Sequence, residues 1–336
     1  MTSPALALAL LLVSALPAGA GKPDDVRDSA LAEARRLIDG GRPDVAAEKL
    51  EALGSDDDRR VRHLLGVARY RADRHLEAIA LLEPLVGAFP EGSLERREVV
   101  QVLGLSLYLV GRLKEAIPLL EQTAEWAGDN AELAHVLGMA YIQTQQPGNA
   151  RAAFARTFGV PVDSAAAHLL TAQLMIRAEL DDQAETELRQ ALAQDPRLPH
   201  ARFLLGQTAL FRGHVEEAVD LLQGELAVNP GDSMAHYRLG DAFLHRREWD
   251  RAIEALQRSI WLNPFYSGPY VLLGRAYMQK GQPGTAQGML RQAIAYDPNN
   301  SVAHYLLGQL LQRAGRVEEA QRELDLAERL KDGPTP

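Results

Sequence analysis

The chain of 336 residues carries 45 acidic against 36 basic side chains, a formal net charge of -9 at pH 7, and no cysteine. An acidic balance with no basic stripe disfavours a nucleic-acid backbone as partner, and the missing cysteines exclude disulfides, a thiol nucleophile and sulfur-ligated zinc. A length that ordinarily holds two or three domains is taken up here by repetition of one short unit, which leaves no room for a separate catalytic domain.

At the N-terminus, Ala5 to Leu16 form an apolar run of twelve residues, followed by Pro17 and the small-residue triplet Ala18-Gly19-Ala20. This looks like a secretory signal peptide over residues 1–20, cut after Ala20. It predicts an exported chain, periplasmic or secreted. Twelve residues are too few to cross an apolar layer of about 30 Å, so no lasting membrane anchor is expected once the segment is removed. The segment departs from the usual pattern in one respect: its first basic residue, Lys22, follows the cut instead of preceding the apolar run.

Downstream, alanine recurs at Ala46, Ala78, Ala116, Ala150, Ala184, Ala218, Ala252, Ala286 and Ala320, and from Ala116 onward the interval is 34 residues without a slip. Twelve residues before each alanine stands a small residue (Gly66, Gly104, Gly138, Gly206, Gly240, Gly274 and Gly308, with Ala34 and Ala172). Four residues after each stands Leu or Phe. Counting Ser267 as position 1 puts these at positions 8, 20 and 24, with proline at position 32 in Pro90, Pro196, Pro230, Pro264 and Pro298. Apolar residues at helical spacing (Tyr270, Leu273, Tyr277, then Leu290, Ala293, Ile294) predict two helices per unit. The small residues let the helices approach, the bulky one fills the space beside them, and proline ends the second helix. A lone hairpin leaves its apolar face wet, so the units must stack.

In chain order the units are a degenerate first repeat over 21–58, then 59–96, 97–130, 131–164, 165–198, 199–232, 233–266, 267–300, and a last repeat with a C-terminal cap over 301–332. The first has Glu33 where leucine is usual, as a terminal cap can. A four-residue surplus near Glu91-Gly92-Ser93-Leu94 reads as a longer surface turn, and Phe158-Gly159-Val160-Pro161 as a junction with one residue of drift. The last helix, with Glu318, Glu319, Arg322, Glu323, Asp325 and Glu328, is charged enough to end the stack facing water.

The fullest copy, Pro269 to Pro298, reads PYVLLGRAYMQKGQPGTAQGMLRQAIAYDP. With Tyr270, Leu273, Gly274, Tyr277, Ala286, Leu290 and Pro298 at the marked positions, it resembles the tetratricopeptide repeat family. The resemblance implies an all-α fold, a right-handed α-solenoid of about nine helical hairpins, and a non-catalytic scaffold that binds a protein or peptide partner. A role as an accessory factor in envelope assembly or polysaccharide export is the alternative within binding functions. Two specialised forms of the family do not match: no Lys and Asn set at positions 2, 5, 6 and 9 forms a clamp for a terminal carboxylate, and position 6 carries no asparagine ladder.

Catalytic and metal-binding patterns are missing from the sequence. It contains no His-Glu-x-x-His, no phosphate-binding glycine loop and no Gly-x-Ser-x-Gly, so neither catalytic nor cofactor residues are assigned. Asp56-Asp57-Asp58 reads as a solvated acidic turn. His168, His236 and His304 share position 4 and read as half-buried packing residues.

In the family that the chain resembles, positions 2, 5, 9, 12 and 13 of each first helix line an inner groove. In units two to nine these positions hold Arg60, Arg71, Arg177, Arg275 and Arg313, against Glu98, Glu132 and Asp241. The groove is expected to be mildly cationic and richest in anchors in units six and seven. The candidate partner-binding residues are His200, Phe203, Gln207, Phe211, Met234, Tyr237, Asp241 and His245, with Arg177 and Arg275 beside them. Their aromatic and amide groups suit a partly apolar, partly polar partner.

Overall fold

The computed structural model describes residues 23–54, 58–128 and 130–331; the apolar leader and its cleavage triplet, with Asp56 and Asp57, lie outside them. The described residues form eighteen α-helices and one 3-10 turn, with no strand among them. They divide into two compact units, the first ending at Leu180 and the second starting at Asp181. None of the helices is long and apolar enough to cross a membrane.

In the first unit α1 (Pro23–Asp39) packs on α2 (Pro43–Ala52), α3 (Arg59–Arg71) on α4 (His75–Leu82), α5 (Leu94–Leu109) on α6 (Leu113–Ala127), and α7 (Ala131–Gln143) on α8 (Pro147–Phe158), before α9 (Ala165–Arg177). The second unit opens with α10 (Asp181–Gln194). It continues with the pairs α11 (Ala201–Phe211) and α12 (Val215–Val228), α13 (Ser233–His245) and α14 (Trp249–Leu262), α15 (Ser267–Gln279) and α16 (Pro283–Tyr296), and α17 (Ser301–Arg313) and α18 (Val317–Lys331). Each second helix also packs on the first helix of the next pair, as α12 does on α13 and α14 on α15.

Size complementarity locks each pair. All nine position-20 alanines are buried, and Ala34 and Ala172 at position 8 are fully so. A Cβ added to Gly66 would lie 2.5 Å from Leu82, on Gly138 2.3 Å from Phe154, on Gly240 2.6 Å from Leu256 and on Gly274 2.7 Å from Leu290. Glycine at position 8 therefore makes room for the bulky residue at position 24, as the sequence predicts. The turn inside each of the eight pairs places one residue in the left-handed region (Gly41, Asp73, Gly111, Gln145, Gly213, Arg247, Gly281 and Gly315), and so does the segment after α9, at Glu179.

Successive hairpins are tied at position 4. The side chains of Arg202, His236, Tyr270 and His304 reach the carbonyl oxygens of Pro196, Pro230, Pro264 and Pro298 at 2.7, 3.1, 3.0 and 3.0 Å. Proline ends a helix and leaves its carbonyl without a partner in the ladder; a polar-tipped side chain six residues on supplies one. This gives His236 and His304 a reason to be polar; His236 is half-buried as expected, whereas His168 and His304 are buried. Burial and the neighbouring Arg258 charge lower the His236 pKa, against the pull of the Pro230 carbonyl.

The surplus near Glu91 is more than a surface turn. Pro84 stops α4 in a 3-10 turn at Glu83–Leu85, and α5 starts early, capped by the Ser93 side chain on the Arg96 amide, so part of the insertion becomes an extra helical turn. Asp58, the described member of the acidic turn, caps α3 through the Arg60 amide and pairs with Arg27 and Arg60. Glu33 is exposed and pairs with Lys49. On α18, Glu318 and Glu319 pair with Arg322 and Arg316 at the surface.

Candidate partner-binding face

The first helices of the second unit lie side by side: α11 touches α13, α13 touches α15, and α15 touches α17. Positions 9 and 13, one helical turn apart, fall on the same side of each helix. They form a row of four pairs: Gln207 and Phe211, Asp241 and His245, Arg275 and Gln279, Gln309 and Arg313. All eight are exposed or half-buried, and Phe211 is 85% exposed. An exposed phenylalanine beside a row of amides and charges has the chemistry of an interface anchor. Asp241 Oδ1 lies 3.8 Å from His245 Nε2.

A cavity of about 180 Å³ opens on this row. Its apolar walls are Leu244, Trp249, Met278 and Leu306, and its polar ones are Arg275, Gln279, Gln309 and Arg313. This cavity lies in units seven, eight and nine, next to units six and seven, where the sequence placed the most anchors. Arg275 was expected on it; Trp249 at position 17 was not, because that residue comes from the start of α14.

Several expected groove residues sit elsewhere. Phe203 is only 6% exposed, with its ring 4.9 Å from that of His200, so it is a packing residue and not a wet anchor. Position 5 is buried at His63 and Val271 as well, and at α11 the helix start is also irregular. Leu198 stands where α7, α9, α13 and α17 have Asn, Ser or Asp as N-cap, and α11 starts two residues late at Ala201, with His200 in the left-handed region. Glu225, fully buried on α12, supplies the cap by accepting the backbone N–H groups of His200 at 2.7 Å and Phe203 at 3.3 Å. His200 is thereby fixed by its backbone and its stacked ring.

Tyr237 is half-buried, edge-on to Tyr266 at 5.2 Å and beneath the Arg238 guanidinium; burial and the Tyr266 hydroxyl push its phenol pKa up. Met234 is half-buried in the first turn of α13, where Asp232 accepts its amide. Arg177 is exposed at the end of α9, in the first compact unit and not with the other nine.

The first unit loses part of its expected groove charge. Glu98 is buried, taking hydrogen bonds from both Arg35 Nη atoms at 2.6 and 2.5 Å, with His63 Nε2 2.9 Å away. Burial raises its pKa, but Arg35 and His63 outweigh that and hold it down at about 2. Arg60 is likewise taken up by Asp28 and Asp58.

Two family models, both described as tetratricopeptide repeat, match the chain: one over residues 107–174 and 266–334, the other over 31–93, 182–224 and 203–267. The chain belongs to the tetratricopeptide repeat family. No curated protein matches it. Among solved structures, this tetratricopeptide chain is similar to MamA at 27% identity, covering 46% of this chain and 92% of that one with a TM-score of 0.43. MamA from Desulfovibrio magneticus RS-1, from residue 41 onward, matches at 22% identity over 52% and 98% of the two chains, TM-score 0.47. YrrB, titled a TPR protein with an unusual peptide-binding site, matches at 20% identity over 51% and 89%, TM-score 0.44. Tetratricopeptide arrays are protein-interaction scaffolds.

Proposed function

We propose that the chain binds an extended segment of a partner protein along the exposed side of α11, α13, α15 and α17, as a scaffold and not as a catalyst. The observation that carries this reading is the continuous row from Phe211 to Arg313, with an exposed aromatic at one end and a small, partly apolar cavity toward the other. Extended segments suit such a row because they expose backbone groups to the glutamine amides and side chains to the pockets between helices.

A larger cavity, about 510 Å³, lies between α12, α13 and α14 on another side of the unit. Its arginines are already engaged, Arg251 by Glu248 and the Phe243 ring, Arg258 by the Trp261 ring. That favours the first-helix row as the charged recognition surface. The test is capture by the immobilised full chain, followed by affinity measurement with Phe211→Ala combined with Arg275→Gln. A loss of about 2 kcal/mol or more with unchanged melting supports the reading; unchanged affinity refutes it.

Export belongs to the same proposal and rests on the apolar run ending at Ala18-Gly19-Ala20. Mass spectrometry of protein from its own host should find a mature chain beginning at Gly21. An intact Met1 terminus on cytoplasmic material refutes it.

A further inference from the structure

The cavity between α13, α15 and α17 is lined by two cations and no anion. Arg275 on α15 and Arg313 on α17 face it with the amides of Gln279 and Gln309. Among the described residues neither guanidinium has an ion pair or hydrogen-bond partner, whereas Arg189, Arg212, Arg246, Arg251 and Arg316 of the same unit each hold a carboxylate. The charge along the row also changes sign: position 9 reads Asp241, Arg275, Gln309, and position 13 reads His245, Gln279, Arg313. In a chain of net charge -9, two arginines left without a carboxylate on one small cavity form a local positive field.

We propose that this cavity recognises the side-chain carboxylate of an Asp or Glu within the bound segment, while an adjacent apolar side chain of that segment rests on Leu244, Met278 and Leu306. The inference deepens the reading of the first-helix row as a binding face and rests on it. Guanidinium groups present planar forks of N–H donors that match a carboxylate, and such charge-assisted bonds are about twice as strong as neutral ones. The glutamine amides can satisfy the remaining carboxylate lone pairs. Leu244 is buried and Met278 and Leu306 are half-buried, so the apolar wall is continuous with the core and accepts one aliphatic side chain without rearrangement.

The experiment uses the full chain and two fluorescently labelled peptides, both acetylated and amidated at their ends. One alternates Glu with Leu; the other has Gln in place of every Glu. Fluorescence anisotropy should find the acidic peptide bound at least about tenfold more tightly, an advantage that shrinks as salt is added. Replacing both Arg275→Gln and Arg313→Gln should bring the two peptides to within about twofold of each other while the melting temperature stays unchanged. Equal affinities for the native chain, an acidic preference that survives both substitutions, or no binding of the acidic peptide overturns the proposal. A preference that appears only with a free C-terminal carboxylate overturns it too, in favour of a site that reads chain ends. A benzophenone probe at position 211 separates the two levels. Equal binding with crosslinking there removes only the acidic assignment; the absence of crosslinking to either peptide removes the binding face as well.

Discussion

Glu225 caps a helix to which it does not belong: its carboxylate accepts the backbone N–H of His200 at 2.7 Å, from the far end of the same hairpin. Position 27 is otherwise small in the regular repeats, with Thr123, Thr157, Ala191, Ser259, Ala293 and Ala327. The glutamate fits because α11 starts late and leaves amides to be satisfied. Glu225→Ala should therefore destabilise the second unit by about 1 to 3 kcal/mol, since it leaves buried donors without an acceptor. Hydrogen exchange of the first turn of α11 should rise before that of α17. Unchanged protection of α11 would mean that the cap contributes nothing.

Position 20 is buried in every hairpin, and Ala252 has no exposed surface. Ala252→Leu should overpack α13 against α14 and cost about 1 to 3 kcal/mol. Because coupling along an array is between nearest neighbours, the loosening should appear locally by hydrogen exchange. Melting and exchange indistinguishable from the native chain would show the register to be misassigned.

Arg247 occupies the left-handed turn conformation at φ 60, where the next repeat has Gly281 at φ 69. Left-handed backbone costs a residue with a Cβ about 1 to 2 kcal/mol, partly offset by the greater chain entropy of unfolded glycine. Arg247→Gly should raise stability by about 1 kcal/mol and Gly281→Ala should lower it by a similar amount. Thermal melts of the two variants should move in opposite directions; a shared direction contradicts the turn assignment.

Glu98 links three first helices through Arg35 and His63, and its pKa falls from 4.5 to about 2. A depressed carboxylate pKa means that the folded state binds fewer protons. The stabilisation is thus fully present above pH 4.5 and is lost as pH falls through about 2. Its size is on the order of 3 kcal/mol at neutral pH. Exchange protection of α1, α3 and α5 should fall over that window in the native chain and be lower but flatter in Glu98→Gln. Identical pH dependence in both would exclude Glu98 as the source.

The repeat fold was legible because its determinants are local in each unit. Gly240, Ala252 and Leu256 lie within one hairpin, and their sizes alone state how closely two helices can pass. The site was less legible because its exceptions depend on partners far along the chain. Nothing adjacent to Glu98 marks it as buried; its partners are 63 and 35 residues away, on two other repeats. Phe203 was read as an anchor from its position number, yet position 5 is buried there as it is at His63 and Val271. Two residues marked the late start of α11. Leu198 stands where a cap residue belongs, and Glu225 stands where the other repeats are small. Positions 9 and 13 lie in the second half of each first helix, position 13 being its last residue, so the irregular first turn of α11 does not reach them.

The most direct measurement for the binding face is site-resolved photocrosslinking of a captured partner. Probes placed singly at Phe211, Gln279 and Gln309 sample the row; a probe at Trp261, 69% exposed beside the larger cavity, samples another side of the same unit. The account predicts strong crosslinks from the three row positions, converging on one continuous segment of the partner, and none from Trp261. Crosslinks from Trp261 with none from the row would contradict it.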